Sequence, residues 1–469
     1  MPEAPRIGVR VRQLALDLRD STARNKGKVP STNGHQENGK QNKLRPEDMA
    51  AHNWYRFVLS FPPHLVRDYI ERFGLNNSHR VLDPFCGTGT TLVECKKQGI
   101  PSIGIEPNPM AYFSTQVKVD WNINPDLLLE HAREIASAAS SILSSEGIGN
   151  NEGVLPPAGR KDFLLRTLPA EKMKLLLKDS ISPLPLHKSL VLLELLARDK
   201  DRDIFSRHEH LALAKAIVFE ISNLRFGPEV GIKAPKADAP VIQKWLEGIQ
   251  SMAGDLRILG RQGNTNVSTT VYRADSRSLR DVLQPNSVDA VITSPPYPNE
   301  KDYTRTTRLE SVLLGFIENK TDIRNLKRNL VRSNTRSVYK ADRDDIFISE
   351  NSEIQNIARL IEARRIELGK TSGFERLYGR LTKLYFGGMA RHLSDLRGIL
   401  RPGAQLAYVV GDQASYLQVL IRTGRLLGQI AESLGYEVSG IDLFRTRIST
   451  ATRNSLREEV VILRWPGRI

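Results

Sequence analysis

The fold is decided by the stretch Arg80-Val81-Leu82-Asp83-Pro84-Phe85-Cys86-Gly87-Thr88-Gly89-Thr90-Thr91. A short apolar strand breaks there into a glycine-rich turn, and Leu92 to Gln98 then has the pattern of a helix that stops at Gly99. The next strand, Ser102 to Glu106, ends in an acid. Strand, turn, helix and strand form a βαβ unit, which predicts an α/β sheet with parallel strands.

The glycine-rich turn suits a ligand that contains a nucleoside. Its glycines let backbone N–H groups approach a ligand closely, and Glu106 is placed to accept hydrogen bonds from two ribose hydroxyls. A phosphate-binding loop would need Gly-Lys-Ser/Thr, whereas Gly89 is followed by Thr90. A dinucleotide turn would want a third glycine where Leu92 stands, which weakens a dehydrogenase without excluding it. S-adenosylmethionine remains a possible ligand, and Asp83 could pair with its ammonium. A turn that binds no ligand and only packs a strand against a helix is the other possibility.

A second motif follows another apolar strand. Residues 289–293 lead into Ser294-Pro295-Pro296-Tyr297 at the expected carboxyl edge of the sheet, where doubly wound sheets bind ligands. The two prolines stiffen this loop. The Ser294 hydroxyl and the Pro295 carbonyl could accept hydrogen bonds from one exocyclic NH₂, while Tyr297 could stack on a planar base. Such acceptors favour a pyramidal nitrogen that attacks a sulfonium methyl in line, once the base has flipped out of a duplex. The alternative is that Pro-Pro only stops the strand.

Composition and periodicity divide the chain into six segments, and they predict a doubly wound, Rossmann-like α/β sheet with helical insertions. Three segments alternate strand and helix patterns. Segment 51–121 contains the glycine-rich turn, here called the cofactor turn, and segment 266–310 contains the Ser-Pro-Pro-Tyr loop, here called the catalytic loop. Segment 385–469 is the C-terminal part of the sheet domain. Two segments, 122–265 and 311–384, have helical patterns and are expected to be insertions. Residues 1–50 have too little apolar surface to offset their ordering entropy, and we expect a disordered basic arm.

The charge balance indicates the kind of partner. Lysine and arginine total 68 against 53 acidic residues, and the net charge of +15 favours a polyanionic partner, nucleic acid before an anionic membrane surface. The two cysteines, Cys86 and Cys95, are too few for a disulfide framework or a four-cysteine zinc site, so we expect no metal. No secretory pattern begins the chain and no apolar run is long enough for a bilayer, which predicts a cytoplasmic protein associated with the nucleoid.

These motifs resemble those of the prokaryotic DNA amino-methyltransferases, which act on N4 of cytosine or N6 of adenine. The resemblance lies in the turn 83–91, in the loop 293–297 and in Phe61-Pro62-Pro63-His64-Leu65. It implies a fold with S-adenosylmethionine as cofactor and double-stranded DNA, with a flipped base, as substrate. It also implies restriction-modification or host DNA marking as the setting, where a cognate restriction endonuclease would be a partner. An RNA base methyltransferase and a non-catalytic DNA-binding protein with a degenerate cofactor pocket are the alternatives.

The resemblance also implies roles for single residues. It places Phe61 and Pro62 against the methionine part of the cofactor, Glu106 on the ribose, and Asp275 with Ser276 near the adenine. The full set of implied cofactor-binding residues is Phe61, Pro62, Asp83, Phe85, Cys86, Gly87, Gly89, Thr90, Thr91, Glu106, Asp275 and Ser276. The implied catalytic residues are Ser294, Pro295, Pro296 and Tyr297.

The motifs also bear on the target base. Serine at 294 favours N4 of cytosine, because family members that act on adenine more often carry an acid or asparagine there. The order of the motifs, cofactor turn first and catalytic loop second, departs from many cytosine-N4 enzymes and keeps adenine-N6 open. A cytosine-C5 enzyme would need a cysteine after a proline, and neither cysteine here follows one.

A basic stretch follows the catalytic loop. Lys320 to Arg343 contains eight basic and two acidic residues, and its net charge of +6 suits contacts to DNA phosphates, although a charged run can also be only a solvated face. We expect the insertion 122–265 to read the DNA sequence. The predicted DNA contacts are Asn299, Arg305, Arg308, Arg324, Lys327, Arg328, Arg332 and Arg336.

Overall fold

The computed structural model describes residues 44–57, 60–149, 165–198, 203–227, 229–448 and 455–467. Most of the predicted arm, residues 1–43, lies outside these ranges. The end of the arm forms two short helical turns, Pro46–Asp48 and Met49–His52. Regular structure therefore begins before residue 50, because side chains such as Ala51 are buried in the core.

The strands confirm the predicted α/β fold. In chain order they are β1 (Val81–Asp83), β2 (Ser102–Ile105), β3 (Leu224–Phe226), β4 (Val230–Ile232), β5 (Thr269–Tyr272), β6 (Val288–Thr293), β7 (Leu400–Gly411), β8 (Glu437–Ile448) and β9 (Ser455–Arg464). Seven of them form one sheet in the order β5-β2-β1-β6-β7-β9-β8, and β3 pairs with β4 in a separate hairpin. The sheet is parallel from β5 to β7, and β9 runs antiparallel to both of its neighbours.

The helices lie on both faces of this sheet. Those of six residues or more are, in chain order, α1 (Pro63–Arg72), α2 (Thr90–Lys97), α3 (Pro109–Lys118), α4 (Pro125–Ser145), α5 (Pro183–Arg198), α6 (Asp203–Ala216), α7 (Val241–Arg261), α8 (Arg308–Leu313), α9 (Lys320–Arg328), α10 (Ser352–Glu367), α11 (Tyr378–Leu396) and α12 (Thr423–Ser433), and single helical turns lie at Ala170–Met173 and Tyr303–Thr306. None of the helices in the described part of the chain is long and apolar enough to cross a membrane.

Alternating side chains along the strands fill two separate cores. Val81 of β1 packs in one cluster with Leu65 of α1, whereas the next residue, Leu82, packs in another with Met389 of α11. This alternation follows from the two-residue period of a strand that is covered on both sides. The sheet is therefore doubly wound, as the sequence predicts.

The first insertion was predicted to be helical, but it also contains the strands β3 and β4. After α6 the chain makes a π-helical turn at Ile217–Ile221 and then enters the β3–β4 hairpin. Polar side chains end the helix here, because the Ser222 hydroxyl donates to the Val218 carbonyl and the Asn223 amide donates to the Asp179 carbonyl. The hairpin carries the insertion toward the catalytic loop.

Candidate active site

The glycine-rich turn and the Ser-Pro-Pro-Tyr loop leave adjacent strands. β1 pairs with β6 in parallel, with Val81 opposite Ala290 and Leu82 opposite Val291. From this pair the chain proceeds to β2 and β5 on one side and to β7 on the other, so the pair is the point where strand order reverses. Ligands of doubly wound sheets bind at the carboxyl ends of such a pair.

Direct hydrogen bonds join the two motifs. The Thr293 hydroxyl donates to Asp83 Oδ1 at 2.6 Å, and the Thr91 hydroxyl donates to the Ile292 carbonyl at 3.1 Å. All four residues are buried. The cofactor turn and the strand that leads into the catalytic loop therefore form one connected unit.

The conformation of the turn requires glycine. Gly87 and Gly89 have φ values of 51° and 81°, in the left-handed region. Helix α3 presses on the turn, since a Cβ on Gly89 would lie 2.7 Å from Thr115 Cγ2. The Thr115 hydroxyl also donates to the Gly87 carbonyl at 2.8 Å. The backbone of the turn is thereby fixed and free of side chains where a ligand would approach.

Asp83 carries an unused hydrogen-bond acceptor. Its Oδ1 accepts from the Phe85 N–H at 3.1 Å and from Thr293, whereas its Oδ2 is buried with no hydrogen-bond partner among the described residues. Burial raises the pKa of this carboxyl to about 6. A buried oxygen left without a donor is costly, so this atom fits a cationic group such as the ammonium of S-adenosylmethionine.

Glu106 lies across the turn from Asp83. It accepts from the Gly87 N–H at 2.9 Å and from the Asn108 N–H at 2.8 Å, and burial raises its pKa to about 7. Each carboxylate oxygen has two lone pairs. One on each remains for the two hydroxyls of a ribose.

The predicted adenine-binding pair lies beside the turn, but Asp275 is already engaged. Arg277 donates to both of its oxygens, at 2.9 Å from Nε and 2.6 Å from Nη2. The Ser276 carbonyl is bonded to His392 at 2.7 Å, and the His392 ring lies edge-on to Phe85 at 4.9 Å. Sequence analysis missed Arg277 and His392, because neither belongs to a motif and only the folded chain brings them to the turn.

The segment with Phe61 and Pro62 adjoins the turn as well. The Ser60 and Thr88 hydroxyls are 3.5 Å apart, and Phe61 packs partly buried against the cluster that contains α1. Phe85, Cys86 and Thr90 belong to the turn itself or to the first residues of α2.

A hydrogen bond to β7 fixes the direction of the Ser294 hydroxyl hydrogen. Ser294 Oγ donates to the Val409 carbonyl at 3.2 Å. A hydroxyl has one hydrogen and two lone pairs, so toward any further group this oxygen is an acceptor. It can therefore accept a hydrogen bond from an exocyclic amine.

Tyr297 is held against the end of β7. A Cβ on Gly411 would lie 3.0 Å from Tyr297 Cε2, which means that the ring lies directly on the Gly411 backbone. Burial raises the pKa of the Tyr297 hydroxyl above its ordinary value, so the side chain stays neutral. One side of the ring is thus supported by the strand.

A buried polar chain that the sequence did not indicate supports the turn. Lys118 is buried and donates to the Thr88 carbonyl at 2.6 Å and to the Tyr55 carbonyl at 3.2 Å, and burial lowers its pKa to about 7. The Tyr55 hydroxyl donates in turn to Glu310 in α8, whose pKa burial raises to about 7. The cofactor turn is thereby connected to the helix that follows the catalytic loop.

Both insertions meet at a cleft beside the catalytic loop. We call this space the catalytic cleft for its position next to the catalytic loop, although Ser294 to Tyr297 are not among its lining residues. Its lining residues are Phe57, Phe226, Gly227, Glu229, Val230, Glu300, Lys301, Asp302, Tyr303, Arg305, Thr306 and Arg336. Burial raises the pKa of Tyr303 to about 12, and a hydrogen bond with the Tyr297 backbone opposes this rise. The hairpin of the first insertion and the turn at Arg336 of the second therefore face each other next to the loop.

The structure corrects part of the predicted DNA surface. Lys327 and Arg332 are only 9% and 3% exposed. Lys327 is paired with Asp302 at 3.0 Å, and Arg332 with Asp342 at 2.8 Å. Because these two side chains are committed inside the protein, they are not available for phosphates.

Other predicted DNA contacts remain accessible. Arg324, Arg328 and Arg336 are exposed, and Asn299 is half-buried. Arg305 lines the catalytic cleft with a buried Nε that has no hydrogen-bond partner among the described residues. Arg308 is half-buried, with its Nε donating to the Thr304 carbonyl at 3.2 Å.

Comparison with known proteins agrees with this geometry. A family model described as DNA methylase matches residues 15–115, which include the cofactor turn. The Type II methyltransferase M.BsoBI of Geobacillus stearothermophilus is 26% identical over 449 residues, which cover 90% of this chain and 86% of that protein. The Type II methyltransferase M.AvaI of Nostoc sp. is 24% identical over 455 residues, which cover 91% of this chain and 88% of that protein.

A third relative is similar over a shorter region. The Type II methyltransferase M.MvaI of Kocuria varians is 24% identical over 305 residues, which are 61% of this chain and 62% of that protein. The turn, the catalytic loop and these similarities lead to one conclusion. These findings support the prokaryotic DNA amino-methyltransferase family, to which the chain is similar and whose members use S-adenosylmethionine as methyl donor.

Proposed function

We propose that the protein transfers a methyl group from S-adenosylmethionine to an exocyclic amine of DNA, N4 of cytosine in preference to N6 of adenine. The observation that carries the proposal is the hydrogen bond from Thr293 to Asp83. It joins the first residue of the loop 293–297 to the first residue of the turn 83–91, so a donor in the turn and an acceptor at the loop would share one site.

The residues of the turn would hold the cofactor. Asp83, through its unpartnered Oδ2, would take the ammonium, and Glu106 would take the ribose hydroxyls. Gly87 and Gly89 leave room for close approach of the ligand to the backbone. When bound, the cofactor supplies an electrophilic sulfonium methyl.

Ser294 and Pro295 would orient the amine. Ser294 Oγ would accept one N–H through a lone pair, because its only hydrogen donates to the Val409 carbonyl. The carbonyl of Pro295 would accept the other N–H. Both contacts favour a lone pair localised on nitrogen, which is the form that attacks carbon. The choice of cytosine is supported by serine, rather than an acid or asparagine, at the first position of the loop.

An exocyclic amine within a duplex reaches such a site only after the base has flipped out. The catalytic cleft beside the loop, with aromatic and polar walls, supports this part of the proposal. Exposed Arg324, Arg328 and Arg336 are suited to the phosphates of the same duplex. The first insertion would read the sequence through the β3–β4 hairpin, and a cognate restriction endonuclease is the partner that we propose.

The direct test is product identification. The full chain is incubated with methyl-labelled cofactor and unmethylated duplex DNA, and the DNA is digested to nucleosides. We expect N4-methylcytosine, whereas N6-methyladenine would overturn only the choice of base. Methylation of tRNA or rRNA but not of DNA would indicate an RNA enzyme. The absence of saturable cofactor binding would indicate a non-catalytic DNA-binding protein.

A further inference from the structure

An exposed aromatic side chain stands at the rim of the catalytic cleft. Phe374 lies in the connection between α10 and α11 and is 52% exposed. The guanidinium of Arg336, which lines the cleft, lies over the Phe374 ring at 5.7 Å from the ring centroid. The ring is therefore adjacent to the cleft and directed away from the apolar cores.

The segment after the catalytic loop fixes the position of Arg336. Glu300 accepts hydrogen bonds from the Thr335 N–H at 3.2 Å and from the Thr335 hydroxyl at 2.8 Å. The Lys327 ammonium, paired with Asp302, also donates to the Arg336 carbonyl at 3.3 Å. Phe374 is thus connected, through Arg336, to the segment that begins three residues after Tyr297.

We propose that Phe374 enters the DNA stack and occupies the space that the target base vacates when it flips out. This inference rests on the proposed function, since it presupposes a flipped base. A residue for this task must be planar and apolar, exposed before DNA binds, adjacent to the cleft that receives the base, and close to cations that meet phosphates. Phe374 satisfies all four conditions, with the exposed Arg336 and Arg376 as the cations.

Two other exposed phenylalanines in the described ranges provide comparisons. Phe219 is 41% exposed, and its ring packs at 5.6 Å against Phe226, which lines the opposite wall of the cleft. Phe347 is 48% exposed but lines a separate pocket with Arg277 and Asp395. Phe347 therefore matches Phe374 in type and exposure while lying away from the catalytic cleft.

The test compares two duplexes that contain the recognition sequence, which is first obtained by methylation-sensitive sequencing of DNA from cells that express the protein. One duplex is fully paired, and the other has an abasic position opposite the target base. Phe374→Ala should lower kcat/KM on the paired duplex by about 5- to 150-fold, equivalent to the about 1–3 kcal/mol of stacking on one base. On the abasic duplex, where the base already lacks a pairing partner, most of this loss should disappear. Phe374→Trp should retain activity on both duplexes.

The control variants define the other outcomes. Phe347→Ala should behave like wild type on both duplexes. An equal loss for Phe374→Ala on both duplexes, or no loss on either, would refute the inference. A loss on the paired duplex alone that is seen for Phe219→Ala and not for Phe374→Ala would also refute it, because the side chain that enters the stack would then be Phe219. If wild-type protein methylates neither duplex, the proposed function itself fails and the inference fails with it.

Discussion

Gly411→Ala should slow methyl transfer without changing an atom that reacts. The ring of Tyr297 lies on the backbone of Gly411 at the end of β7. A methyl group at this position would be 3.0 Å from Tyr297 Cε2 and 3.3 Å from Glu458 Cγ. Both distances are below an ordinary carbon contact, so the ring must move away from the strand.

The size of the effect follows from these distances. A Cβ contact of 3.0 Å is tighter than an ordinary one, so the Tyr297 ring must shift by a few tenths of an ångström. A misplacement of about 1 Å in an active site can cost about a hundredfold in rate. The expected shift is a fraction of that misplacement, so we expect kcat to fall by roughly three- to tenfold. The affinity for the cofactor should stay unchanged, because a Cβ on Gly411 would contact Tyr297 and Glu458 and not the turn at Gly87 and Gly89.

The assay combines steady-state methylation of duplex DNA with calorimetric titration of S-adenosylmethionine. Gly440→Ala is the matched control, since Gly440 lies in β8, two strands from β7 in the same sheet, and a Cβ there meets nothing within 4 Å. It should retain the kcat of wild type. If Gly411→Ala and Gly440→Ala gave the same kcat, the support of Tyr297 by β7 would have no role in the reaction.

Four further predictions concern the cofactor turn, the catalytic loop and the basic helix α9. Ser294→Ala should lower kcat far more than cofactor affinity and Glu106→Ala should do the reverse, as measured by kinetics and titration; equal effects would contradict the assigned roles. Cofactor affinity should fall as pH drops through about 6, because burial raises the pKa of Asp83 to that value and only the ionised carboxyl pairs with an ammonium. The free energy of unfolding of the cofactor-free protein should in turn fall as pH rises toward about 6, since the folded state holds this proton more tightly, and a flat denaturation profile would argue against it. Arg324→Ala and Arg328→Ala should each reduce the slope of log K against log salt for DNA binding by about one, and an unchanged slope would remove that side chain from the DNA surface.

The sheet and the two motifs could be predicted from the sequence alone. Strands β1 and β6 are short apolar runs that end at unusual turn residues, and both their pairing and their common edge follow from the rules of doubly wound sheets. The acid at Glu106 was found for the same reason, because it ends the strand after the turn. These features are local, so they can be recognised without the fold.

The remainder of the site depends on contacts between distant residues. Lys118 reaches the turn because α3 packs over it, and His392 reaches it from a helix more than 300 residues further along the chain. The β3–β4 hairpin was missed because its strands have three residues each, too few for a period to emerge. Lys327 and Arg332 were assigned to DNA because charge in a sequence does not show which basic side chains have acidic partners.

The central claim is that the cofactor and the target amine share the site between β1 and β6. A crystal structure of the protein with S-adenosylmethionine and a duplex that contains its recognition sequence tests this most directly. We predict the cofactor ammonium on Asp83 Oδ2, and the sulfonium methyl about 3–3.5 Å from the nitrogen of a base held at Ser294. A cofactor bound at another edge of the sheet, or a methyl group facing away from Ser294, would contradict the claim.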